Sequence, residues 1–469
     1  MPHLMTWKSD TDENRLNLYV QNTFLYKGWY EKVWKELKPP DPEFKTIVMN
    51  DAANITDAIA NLLFREEPDY KAETVPSSQP EIDRIVRATN FNATLKEQGT
   101  WGSVLGDMVF LIRHDGTEVK IDFVHPKFFF GQFAPFDTNE LMRATLQYPI
   151  TSDSGRVKFL YRQVHDKGII SNQLWRVQGN EVTEPLPLTD RPETALLLPT
   201  IETGVDALLV VHAKNRNFPG EPYGQGDYSH SLKTKFRART ALMTQFDSVR
   251  AKHSNPKLAL PQTLLESLRD SETGQILVDR DELDMIGLQE GEEVKFVTWD
   301  GELNVSLKED DVLLTQILDE AKISPALLGK SEAGIAGGET GRANTMKILA
   351  SLGLAHSKQQ LLEPAIRDVL FRAQLLENTI DGAARYEASE VKVIFADGLP
   401  ADSLNNSQIM NIRILNGTMS RQEAIIRQDG VTEAEALRIM EEAAKEGVFI
   451  QEVTSGNVEP APVPIETEE

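Results

Sequence analysis

Cysteine is absent from all 469 residues, which excludes disulfides, thiolate zinc sites and a cysteine nucleophile. No apolar run is long enough for a bilayer span. Ala195 to Val211 is among the most apolar stretches, and Pro199, Glu202 and Asp206 interrupt it. Met1 to Asp10 has no apolar centre between basic and small residues, so no secretory signal is expected, and a cytosolic or virion location fits. Positive charge is scarce: 49 Lys and Arg stand against 72 Asp and Glu, a net charge of −23. A protein that grips DNA with its whole surface needs a basic footprint, because Lys and Arg release counterions from phosphate. This chain does not grip DNA with its whole surface, and its acidity reads first as a solvated surface.

Catalytic patterns are missing too. The eight His, among them His114, His125, His230 and His356, are scattered and form no HExxH or other metal-ligand spacing. Gly334 to Arg342 (GIAGGETGR) is Gly-rich before a helix, but Arg342-Ala343-Asn344 stands where a P-loop needs Lys and Ser or Thr. Gly224-Gln225-Gly226 precedes a helix, yet Ser229 replaces the third glycine of a dinucleotide fingerprint. Asp279, Asp281, Glu282 and Asp284 lack EF-hand order and read as a solvated loop before a cation site. GxSxG does not occur. No catalytic residue, metal site or cofactor is expected.

What is present describes a folded chain, 40% hydrophobic and 26% charged, long enough for two to four units at roughly 100–200 residues each. Leu16, Val20, Phe24, Trp29 and Val33 have near-helical spacing, and Pro39-Pro40 ends that element. Further helices are predicted over about 47–64 and 81–105. Strands follow at 108–113 and 119–124, joined by the turn Asp115-Gly116, then near 141–148, 157–164, 173–177 and 207–212. From about Asp227 the pattern turns helical, with Leu232, Phe236, Met243, Phe246 and Val249 as a seam ending before Asn255-Pro256. A mixed insert, a helix over about 308–322, a small-residue loop and a helix over about 342–376 come next. Pro364 should bend this last helix. A strand at 391–395 and a helical unit at 402–447 close the folded part. In that unit Ser420 with Glu423, and Thr432 with Glu435, have capping-box spacing. The tail beyond Gln451 is expected to be disordered. The fold class is α+β, without regular β-α-β alternation.

Charge is segregated. Tyr228 to Leu258 carries Lys233, Lys235, Arg237, Arg239, Arg250, Lys252 and Lys257 against Asp247 alone. Arg269 to Glu320 is dominated by acids, including Asp270, Glu272, Glu290, Glu292, Glu293, Asp310 and Asp311. An amphipathic helix beside an acidic surface module accounts for this. So does self-assembly of a basic face on a neighbour's acidic face, since head-to-tail contact needs two complementary patches. Charge alone leaves both open.

The order of elements resembles the portal proteins of tailed bacteriophages over about 12–450. Local similarities are NITDAIANLLF (54–64) with Glu67-Pro68, then Gly102 to Asp107 with the strands and FVHPKFFFGQF after it. LLGKS (327–331) running to Gly341-Arg342-Ala343, and SRQEAI (420–425), complete the set. The resemblance implies a portal-type fold: a mixed wing, two stem helices bracketing a small α/β clip, a long bent helix and a helical crown. Its divisions would be wing 1–226, first stem helix 227–254, clip 255–307, second stem helix 308–328 and tunnel loop 329–341. The long helix with the rest of the wing would take 342–397, the crown 398–450 and the tail 451–469.

The implied function is a dodecameric ring at one capsid vertex, found in the virion and, during assembly, in the host cytoplasm. DNA is packaged through it, retained and ejected, and it is the platform for head–tail joining. The implied partners are other copies of the chain, the terminase large subunit, major capsid and scaffold proteins, a head–tail adaptor and double-stranded DNA in transit, with no membrane. Expected channel residues in the tunnel loop are Lys330, Gly334, Ile335, Gly337, Gly338 and Arg342. The stem's basic face would be Lys233, Lys235, Arg237, Arg239, Arg250 and Lys252, pairing across subunits or touching DNA weakly. Asp279, Asp281, Glu290, Glu292 and Glu293 would face the channel or the docking surface of the clip. The rival expectations are another virion or scaffold protein without an axial channel, and a nucleic-acid enzyme with clustered acidic metal ligands.

Overall fold

The computed structural model describes residues 5–6, 10–39, 45–151, 157–178, 181–254, 257–261, 285–288, 295–297, 303–329, 341–380, 385–396, 403–429, 431 and 433–445. It is a mixed α+β chain of two compact units, Met1–Gly398 and Leu399–Glu469.

The first unit opens with β1 (Met5–Thr6) and α1 (Asp10–Tyr26). The helix stops well before the expected Pro39, because Gly28 turns the backbone into the left-handed region at φ +73°. A short α2 (Tyr30–Val33) and a 3-10 turn at Lys35–Leu37 follow. The buried face of α1 only partly follows the expected one: Leu16 packs against the core. Val20 is exposed, whereas Arg15, Tyr19, Asn22 and Leu25 are buried. Arg15 donates to the carbonyls of Pro126 and Phe129 at 3.2 and 3.0 Å, so its buried charge is hydrogen-bonded.

Next come α3 (Asp51–Phe64), β2 (Asp69–Ala72), α4 (Gln79–Ala88) and α5 (Phe91–Leu105). The single helix expected over 81–105 is two, divided at Asn90, which adopts φ 51°. Asn tolerates that region better than most residues. The strands β3 (Asp107–His114) and β4 (Val119–Phe123) form the expected hairpin, with Gly116 at φ +102° in its turn, and β11 (Val210–Lys214) pairs with the other edge of β3.

A larger antiparallel sheet is built from β5 (Phe129–Ala134), β6 (Asp137–Thr151), β7 (Val157–Asp166), β8 (Ile169–Gln178) and β9 (Glu181–Leu186). Its order is β1-β9-β8-β7-β6-β5, and β10 (Thr200–Glu202) also pairs with β8. The sequence pattern missed β5 and β9 as strands. Val109, Val124, Phe129, Ala144, Leu146 and Val210 form the apolar layer joining this sheet to the β11-β3-β4 sheet.

Helix α6 (His230–Ser254) leads to β12 (Lys257–Pro261), β13 (Met285–Leu288) and β14 (Lys295–Val297). Strand β12 pairs parallel with β13 and antiparallel with β14. Helix α7 (Leu303–Ala321) starts earlier than expected, so residues 303–307 are helix, not insert. Helix α8 (Gly341–Ile380) continues through Pro364, and β15 (Val391–Ile394) pairs with β2. Ala355, Leu362, Ile366, Val369, Ala373 and Leu376 form the buried stripe of α8 within the main core.

The second unit contains α9 (Ser403–Leu415), α10 (Arg421–Asp429) and α11 (Glu433–Lys445). The expected cap at Ser420 is present: its Oγ accepts from the Glu423 amide at 3.1 Å. Gly417 ends α9 at φ +69°.

Gly224 and Gly226 owe their identity to close packing with α5 and β3. A Cβ on Gly224 would lie 2.1 Å from the Gly106 carbonyl oxygen, and one on Gly226 would lie 2.6 Å from that of Val104. Gly224→Ala is therefore expected to cost about 1–3 kcal/mol, the usual range for overpacking. The check is the midpoint of urea unfolding.

Candidate functional site

Of the residues expected to carry function, the described ones lie on α6, apart from Arg342 at the start of α8, and α6 packs beside α7. The root of α6 is fixed first. Asp227 accepts from the Ser103 hydroxyl, from Asn215 Nδ2 at 3.1 Å, and from Lys358 Nζ at 2.8 and 2.9 Å. The approach to α6 is thereby tied to α5, to the residue after β11 and to α8. Lys358 is almost wholly buried, and that burial pulls its pKa down against the pull of Asp227. One residue on, Tyr228 donates to the Ala52 carbonyl at 2.9 Å, and its ring meets Phe236 edge-on at 6.0 Å. Leu232 and Phe236 then enter the core with Ile317, Leu318 and Ala321 of α7.

Charge locks the pair beyond this apolar root. Arg239 is 3% exposed and forks onto Asp310 of α7, Nε to Oδ1 at 2.7 Å and Nη2 to Oδ2 at 2.9 Å. Its Nη1 reaches Asp51 in the first turn of α3. Burial disfavours the guanidinium charge, but the two carboxylates outweigh it and raise its pKa. Nearer the root, Glu320 of α7 accepts from Ser229 Oγ at 2.6 Å, from Ser231 Oγ at 2.9 Å and from Lys235. On another side of α6, Arg237 meets Glu36 at 3.0 Å, and Thr244 accepts from the Ile47 amide at 3.0 Å.

These contacts give part of the basic face partners within its own chain. Lys235, Arg237 and Arg239 have partners on other elements of their own chain, and Arg250 pairs with Asp247 one turn earlier. Lys235 and Arg239 are four residues apart and share the face turned to α7, so the acidic helix beside them takes them first. Lys233 is half-buried, with its pKa lowered by that burial, and has no carboxylate partner among the described residues. Lys252 lies in the last turn of α6 and Arg342 in the first turn of α8. Lys330, Gly334, Ile335, Gly337 and Gly338 lie outside the described residues, as do Asp279, Asp281, Glu290, Glu292 and Glu293.

No protein-family model matches the sequence, and no curated protein matches it either. Among the described residues no cluster of three or more His, Asp or Glu could hold a metal ion. No described helix is long and apolar enough to cross a membrane.

Residues that sequence reasoning missed are Glu36, Asp51, Asp227, Glu320 and Lys358. Their partners lie tens to hundreds of positions away, and spacing carries no signal for such pairs. Only Asp51 has a local mark, an acid where a helix begins.

Two outcomes are expected. Arg239→Ala leaves Asp51 and Asp310 without their shared cation and should cost about 3–5 kcal/mol, the range for breaking a buried ion pair; denaturant titration would read it. The carboxyl of Glu320 is held below its ordinary value. Burial opposes this, but the bonds from Lys235, Ser229 and Ser231 prevail. Its stabilisation is full above the ordinary value of 4.5 and is lost as pH falls through the lower folded value. Glu320→Gln should therefore unfold more easily than the parent at neutral pH, with the difference shrinking as pH drops below 4.5.

Proposed function

We propose that the chain is the subunit of a portal ring, a dodecamer at one capsid vertex through which double-stranded DNA is packaged, retained and ejected. The observation that carries this reading is the helix pair. Two long helices leave the core side by side, bracket the segment 255–302, and return to a forty-residue helix. A helix pair that brackets an inserted segment suits a stem whose far end meets other proteins. Those partners would be the terminase large subunit during packaging and a head–tail adaptor afterwards. Major capsid and scaffold proteins would surround the ring in the virion and, during assembly, in the host cytoplasm. The role is structural, not enzymatic.

Acidity suits such a conduit. Each close Lys or Arg contact with phosphate adds counterion-release affinity that would impede sliding. An acidic lining repels the duplex and centres it, with a reach of about 8 Å at physiological salt. Two of the cations on α6, Lys235 and Arg239, are already occupied by Glu320, Asp51 and Asp310.

Mass photometry and negative-stain microscopy of the purified full chain provide the test. A closed ring near the mass of a dodecamer, with an axial hole, is expected. A monomer at high concentration, or a compact oligomer without a hole, would overturn the reading.

A further inference from the structure

Helix α6 separates two unlike surfaces. Arg237 and Arg239 are two residues apart, about 200° around the helix axis. Arg237 reaches the 3-10 turn after α2, and Arg239 reaches α7. The α2 segment and α7 therefore flank α6 on roughly opposite sides.

The α2 side is basic and aromatic within an acidic protein. Lys27, Lys32, Lys35 and Lys38 are exposed and have no carboxylate partner among the described residues. Trp29 is 45% exposed, packed on Phe24, with the Lys32 ammonium 3.8 Å and the Lys27 ammonium 5.3 Å from its ring centroid. The far side of α7 has the opposite character. Val305 and Val312 are 51% and 55% exposed, one heptad apart and turned away from buried Ile317 and Ala321. Glu309, Asp311 and Asp319 flank them, exposed and without a cationic partner among the described residues.

We propose that these two surfaces meet between copies of the chain: Trp29 of one copy packs on Val305 and Val312 of the next, while the lysines around Trp29 face Glu309, Asp311 and Asp319. The occupant of each surface is a second copy, because one chain carries both halves of a complementary pair on opposite flanks. That is the arrangement a head-to-tail contact requires. An apolar centre with an aromatic anchor inside a rim of opposite charges also matches how specific interfaces are built. This contact rests on the ring reading and names the seam between its subunits.

Charge reversal tests it on the full chain. Lys32→Glu with Lys35→Glu, and separately Glu309→Lys with Asp311→Lys, should each cut the assembled fraction roughly tenfold or more at fixed concentration, since like charges then face one another. Mixing the two variants, or combining all four substitutions in one chain, should restore assembly. Circular dichroism and unfolding midpoints near the parent's would show that each variant folds. Reversals that leave an intact parental ring unaffected, or a combined variant that fails to assemble, overturn the contact alone. A parent chain that stays monomeric overturns the ring reading and the contact with it.

Discussion

A single buried guanidinium sets the geometry on which the rest depends. Arg239 joins α6 to α7 through Asp310 and to α3 through Asp51. Desolvating three charges is costly, and a well-packed apolar trio of similar volume could match the net stability. What an apolar trio could not match is direction. The fork on Asp310 fixes the rotation of α6 against α7, and the Nη1 contact fixes the pair against the body. From that rotation follows which residues point outward: Arg237 to one side, and the Val305–Val312 face of α7 to the other.

Buried polar networks repeat this logic elsewhere. Asp107 accepts from Tyr19, from His212 and from the Gly224 amide, while Arg15 stacks over Tyr223 with 3.9 Å to the ring centroid. Asp227 and Lys358 bring three segments to the root of α6. Each network joins segments remote in sequence at a point where a purely apolar contact would leave their rotation loosely defined.

That is also why legibility in the sequence was uneven. Local features were readable: the Asp115-Gly116 hairpin, the Ser420 cap, the Leu232–Phe236 seam and the span of α6 all follow from short-range chemistry. The face of α1 was partly misjudged because its buried side holds Arg15, Tyr19 and Asn22, residues that a hydrophobic period assigns to solvent. The break at Asn90 was missed because Asn reaches a left-handed conformation without the mark a glycine leaves. The basic residues of α6 were identified as a group, but their partners were not. Nothing in the spacing of Arg239 announces Asp51, 188 positions away.

The absence of cysteine allows a direct measurement. In a chain with none of its own, Lys32→Cys and Asp311→Cys can be introduced singly and together, then treated with a short bis-maleimide. If α6 divides complementary flanks that meet between copies, the double variant gives a ladder of covalent multimers and neither single variant goes beyond dimers. Monomer alone in the double variant, under conditions where the protein is assembled, would contradict the account.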